Sequence, residues 1–318
     1  MERIVLGCIF LLYLVFAFFY SQNIIPGGDE VHYLLQVKSI IKDHDIWLEN
    51  NYINGDLLSI NPDVRDKIAA KGFGGHEYLA HGIGFTFLLA PFYALGERTG
   101  VVFFHALTTF LLFLSTLFLS TKITKSKKLS LLIASAIFLN TPIFNFSVLS
   151  FPEIVGSLVI VISFTKIFFG KSTGYIIPLT LALLPWIHIR FLLLSIILFI
   201  FWFYKSKKKS YTKLSIYLII VMLFFLFLKM IFGSFNPYKP FELVGDLPLQ
   251  KNMLVNLINV LIDRQYGLFV YCPLFIFSIP GLYYWYKENK KIFLPTMLLV
   301  ITYLLPILRS DDWQGGYT

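Results

Sequence analysis

The chain has 318 residues, of which 57% are hydrophobic and only 14% charged, with a mean hydropathy of +0.73 and a formal net charge of +9. That balance excludes a soluble globular protein, and the recurring apolar runs of roughly 15 to 22 residues suit helices that cross hydrocarbon. A β-barrel would show short alternating segments, so the predicted class is an all-α polytopic membrane protein. Cys8 and Cys272 both lie in apolar runs, with neither metal-ligand spacing nor a disulfide framework, and read as packing residues.

In chain order, residues 4–20 form the first apolar run. Phe18-Phe19-Tyr20 lacks the small residues of a cleavage site, which predicts an uncleaved anchor. The run ends at Pro26-Gly27-Gly28-Asp29-Glu30, two adjacent carboxylates where a greasy helix leaves the bilayer. Residues 29–43 then place Val31, Leu34, Leu35 and Ile41 at helical spacing opposite Lys38, Lys42 and Asp43, which predicts a helix lying flat at the interface. Further crossings are expected near 101–121, 129–148, 152–169, 174–187, 189–204, 213–232, 266–286 and 291–308. Residues 82–95 are expected to be re-entrant or interfacial, kinked at Pro91. The total is about nine transmembrane helices, with residues 21–100 as a large first extracytoplasmic loop carrying interfacial, juxtamembrane helices.

Lysine placement orients this arrangement. Lys122, Lys125, Lys127 and Lys128, the cluster within 205–213, and Lys287, Lys290 and Lys291 fall on one side, which the positive-inside rule makes cytoplasmic. Of the 18 acidic residues only Glu2 and Glu288 then land inside. The basic excess is therefore a topology signal and not a nucleic-acid surface.

The outer face collects the groups that can do chemistry. Asp29 and Glu30 suit helix capping as well as catalysis, because acids favour a helix N-terminus. Glu153 follows Pro152 at the start of a crossing, where a carboxylate next to hydrocarbon is costly without a partner or a water-filled cavity. His188 and Arg190, in Pro185-Trp186-Ile187-His188-Ile189-Arg190, offer donors to a phosphate, and the planar guanidinium binds such oxygens bidentately. Asp263-Arg264-Gln265-Tyr266 and Asp311-Asp312-Trp313-Gln314-Gly315-Gly316 stand at further membrane exits. His76 and His81, five apart, are poorly spaced for a shared metal and read as phosphate or sugar contacts or as loop packing.

Taken in order, these pieces resemble the GT-C superfamily of membrane glycosyltransferases, near the protein O-mannosyltransferases and the lipid A aminoarabinose transferases. The matching residues are Gly28-Asp29-Glu30 with Tyr33; His81-Gly82 leading to Leu88-Leu89-Ala90-Pro91-Phe92-Tyr93-Ala94-Leu95-Gly96; and Phe151-Pro152-Glu153. Pro185-Trp186 with His188 and Arg190, Asp263-Arg264-Gln265-Tyr266-Gly267-Leu268, and Trp313-Gln314-Gly315-Gly316 complete the set. The resemblance covers nearly the whole of residues 1–318. The family usually continues beyond the Trp-Gly-Gly motif, so the chain reads as C-terminally incomplete or as a minimal relative.

The resemblance implies an enzyme for cell-envelope glycosylation that takes a sugar from a polyprenyl-phosphate donor at the outer membrane face. The acceptor would be a lipid, a polysaccharide or a protein. Asp29 matches the carboxylate that sits beside the acceptor, and it is expected to act as general base, with Glu153 as a second acid. Arg190 or Arg264, with His188, His81, Tyr33 and Tyr266, would bind the donor phosphate or the substrate. Glu30 and Glu153 would orient the acceptor or hold a divalent cation such as Mg²⁺ or Mn²⁺, although no cofactor is required. The alternative class is a transporter or flippase of a lipid-linked sugar or small anion. It fits less well because the ionisable groups cluster at span ends and no repeat is visible. A non-catalytic subunit that binds the carrier lipid is a third reading.

Overall fold

A computed structural model describes residues 2–64, 67–170, 174–206, 211–245 and 252–309. It is 79% helical. Among the described residues five helices are long and apolar enough to cross a membrane, and they identify the chain as an all-α membrane protein: α1 (Glu2–Asn23), α5 (Ile83–Thr124), α8 (Pro152–Phe169), α11 (Tyr211–Phe232) and α16 (Lys290–Arg309). Between α1 and α5 lie α2 (Asp29–Lys38), α3 (Glu49–Ile53), α4 (Asp56–Ile60) and an antiparallel hairpin of β1 (Ala69–Lys71) and β2 (Glu77–Leu79), in which Ala70 faces Tyr78.

The remaining helices are shorter: α6 (Lys127–Phe138), α7 (Thr141–Phe146), α9 (Ile176–Ile187), α10 (Leu192–Lys205), α12 (Lys239–Leu243), α13 (Met253–Ile262), α14 (Leu268–Tyr271) and α15 (Ser278–Glu288). Two expected crossings are therefore broken. Residues 129–148 divide where Asn140 caps α7 with its side chain and Pro142 occupies the first turn. Residues 266–286 divide at Pro273, which starts a 3₁₀ turn because it cannot donate to the preceding turn.

Helix α5 is the hub, packing on α1, α2, α6, α8 and α9. It is interrupted at Gly96 and Glu97, not at Pro91 as expected, and Glu97 takes a left-handed φ of 49°. One core cluster joins α1 to the second arm of α5, α6 and the start of α8; a second joins α2 to the first arm of α5, α8, α9 and α10. Helix α2 departs from expectation. All residues from Glu30 to Val37 are buried, so it does not lie flat with one wet face. Helix α4, strand β2 and α5 pack on α2, while Lys42 and Asp43 beyond its end stay exposed.

Candidate functional site

Gly28 starts the construction. Its φ of 56° lies in the left-handed region that favours glycine, and it caps α2 with no side-chain bond. Asp29 is therefore the first helical residue, its carboxylate not used as a cap. It stands 3.6 Å from Nε2 of His81, with 39% of its side chain exposed. Burial opposes the Asp29 charge, but His81, His32 and Arg190 outweigh it and hold the carboxyl down at about 2.

His81 reaches this position because residues 82–84 lie directly on the C-terminal end of α9. A Cβ on Gly82 would overlap the Ile187 carbonyl, and one on Gly84 would come within 2.7 Å of the Trp186 Cβ. Two glycines thus bring the His81 ring to 5.9 Å from that of His188, with Tyr33 at 5.3 Å and Phe241 at 5.4 Å. Nδ1 of His81 has no hydrogen-bond partner among the described residues, and Nε2 has only the Asp29 carboxylate at 3.6 Å. A buried donor or acceptor left unmade is expensive, and such groups recur at functional sites.

His188 ends α9. Its Nδ1 accepts the Arg190 backbone N–H at 3.2 Å, so in the neutral ring the proton sits on Nε2. Burial, then Arg190 and His81, push its pKa well below the ordinary value, which keeps the ring neutral. Two residues on, the Arg190 guanidinium donates to Oε1 of Glu153 at 2.5 Å. Burial opposes the Arg190 charge, while Glu153, Tyr303 and Tyr33 outweigh it and keep the guanidinium firmly protonated. The Tyr33 phenol is raised well above its usual range by burial first, then by the charges of Asp29 and Glu153 together. The two acids therefore act on one hydroxyl, and Asp29, Tyr33, His81, Glu153, His188 and Arg190 form a single network.

Glu30 belongs elsewhere. It is fully buried, accepting from Arg98 at 3.3 Å, Tyr20 at 3.2 Å and Ser150 at 3.4 Å. Desolvation raises its pKa, and Arg98 opposes the shift most strongly. Arg98 also donates to the Ile24 carbonyl and lies over the Tyr20 ring. This clamp joins α1, α2, α5 and the turn before α8, leaving Glu30 closed to substrate. Removing one partner of such a buried pair costs about 3–5 kcal/mol.

Other expected site residues stand differently. Arg264 and Tyr266 are exposed on a turn in which Asp263 accepts from the Gln265 and Tyr266 backbone N–H groups, and no described contact joins Arg264 to Asp29 or Arg190. His76 packs within the loop, stacked on Trp47 at 4.0 Å and bonded to Glu49 at 2.8 Å. Residues 311–316 lie outside the described residues. Sequence reasoning missed Arg98 and Tyr303. Arg98 could have been found as a lone cation between two long apolar runs, whereas Tyr303 sits in an ordinary apolar helix.

Among the described residues no group of three or more His, Cys, Asp or Glu is placed to hold a metal ion. Glu153 is committed to Arg190. A small apolar cavity of about 30 Å³, room for roughly one water, lies beside His81, lined by Tyr78, Ile83, Pro185, Phe224, Phe227 and Phe241. In comparison with known protein families, curated proteins and solved structures, the chain matches none.

Proposed function

We propose that this protein is a membrane glycosyltransferase that moves a sugar from a polyprenyl-phosphate donor to an acceptor hydroxyl at the extracytoplasmic face. In this reading α9, α10 and the broken stretches 129–148 and 266–286 complete about nine crossings, with the lysine clusters inside. The observation that carries the proposal is the convergence of Asp29, His81, Glu153, His188 and Arg190, from four separate stretches of chain, on one network at the start of α8 and the end of α9, both apolar helices. A lipid-linked sugar needs that combination, because its chain stays in hydrocarbon while its phosphate and sugar require polar partners.

The chemistry follows from the protonation states. Ionised Asp29 accepts the proton of the acceptor hydroxyl, whose oxygen attacks the anomeric carbon from the face opposite the phosphate. The bond from that carbon to the phosphate oxygen breaks, and the electron pair leaves with the phosphate. Phosphate is a good leaving group, so one base suffices, and base assistance contributes about 10² to 10⁴ in rate. Arg190 keeps N–H donors beyond the one given to Glu153, and neutral His188 presents Nε2–H; both stabilise charge growing on the departing phosphate. Glu30 and Arg98 position α2, and Glu153 orients Arg190.

Photocrosslinking with a polyprenyl-phosphate analogue carrying a diazirine next to the phosphate tests the location. Labelled peptides are expected from residues 186–192 and around His81, and Arg190→Gln should reduce labelling at least tenfold. Labelling confined to the 263–267 turn would contradict the proposal. Flipping of the analogue in vesicles without any sugar transfer would favour the transporter reading.

A further inference from the structure

The β1–β2 hairpin ends in an apolar tip seated at the end of a membrane-length helix. Phe73, between Gly72 and Gly74, is 85% exposed. Its depth is set by backbone contacts, since the Phe73 N–H donates to the Ile231 carbonyl at 2.6 Å, in the last turn of α11. A Cβ on Gly72 would come within 2.7 Å of the same carbonyl, so glycine is needed for this approach. On the other side, the Phe73 ring lies 3.2 Å from where a Cβ on Gly233 would stand.

The end of α11 carries the marks of a lipid boundary. The helix has 22 residues and rises roughly 33 Å, close to the thickness of the hydrocarbon core. Near its end Met230 is 77% exposed, and Phe235 just beyond is 54% exposed. Lys229 folds forward so that Nζ donates to the Gly233 carbonyl at 2.8 Å, which carries its charge towards the helix end while its stem stays on apolar surface. Exposed Lys71 flanks the tip on the strand side.

We propose that the hairpin tip is a lipid-binding surface, with Phe73 immersed at the boundary between acyl chains and headgroups of the leaflet where α11 ends. The partner is phospholipid, its acyl chains against Phe73 and Met230 and its phosphates near Lys71 and Lys229. From this tip the chain runs through β2 and Ala80 to His81, so bilayer contact at Phe73 sets the depth at which His81 is held. The inference rests on α11 crossing the membrane and not on sugar transfer.

The test is a nitroxide on Phe73→Cys in the full chain, with Cys8→Ser and Cys272→Ser, in vesicles of phosphatidylcholine and phosphatidylglycerol. Collision rates with oxygen and with a water-soluble nickel chelate are compared with those for Met230→Cys, on the exposed side of α11, and Asn54→Cys, exposed between α3 and α4. The Phe73 label should follow Met230, with oxygen favoured severalfold over nickel, and a label on Gly74→Cys should agree. Nickel access like that of Asn54 would overturn the proposal by placing the tip in water. Exclusion of both reagents would also overturn it, because a protein surface would then cover the tip.

Discussion

Asp29 and Glu30 are neighbours in sequence and opposites in environment. One keeps an open edge beside His81, and the other is sealed against Arg98, Tyr20 and Ser150. The sequence made the pair conspicuous, but one residue along a helix turns a side chain by about 100°, and only the packing of α1 and α5 decides which carboxylate is covered. His188 illustrates the same limit. Its position beside Arg190 was legible, while its neutrality depends on burial supplied by other segments. That neutrality has a pH signature. The unfolded chain protonates this imidazole below about pH 6.5 and the folded protein does not, so stability falls as pH drops below that value. Thermal unfolding in detergent at pH 7.5 and 5.5 should show a larger acid loss for the wild type than for His188→Gln, whereas equal losses would contradict a buried neutral ring.

At the scale of elements, the long uninterrupted helices α1, α8, α11 and α16 were legible because apolar length alone specifies them. Stretches 129–148 and 266–286 are interrupted at Asn140-Thr141-Pro142 and at Pro273, which hydropathy does not report because it averages over local breaks. The break in α5 was placed at Pro91. A proline is tolerated inside a membrane-length helix, and the chain instead turns five residues later, where Gly96 relaxes the backbone. The contact that matters most for the site is Gly82 and Gly84 against the end of α9, which no periodicity reports. Its physical content is close approach. Gly82→Ala should destabilise the protein by about 1–3 kcal/mol through overpacking against Ile187. Gly74→Ala, with open space around its Cβ, should change stability little. Equal melting temperatures for the two variants would show that this contact does not position His81.

At the scale of the whole molecule, the expectation of an all-α membrane protein agrees with the five described helices long and apolar enough to cross a bilayer. Four of the six quoted motifs meet in space, through Asp29, His81, Glu153 and the His188–Arg190 turn. No described contact joins Arg264 to these groups, the Trp313 motif lies outside the described residues, and Tyr303 of α16 joins the network at Arg190. Distances between motifs that are far apart in sequence depend on how α5, α8 and α9 pack, which no local pattern reports. The decisive measurement is turnover of radiolabelled polyprenyl-phosphate sugars by the purified protein in proteoliposomes, wild type against Asp29→Asn. The account predicts transfer by the wild type and a loss of about 10² to 10⁴ in rate for Asp29→Asn with donor crosslinking retained; equal rates would contradict it.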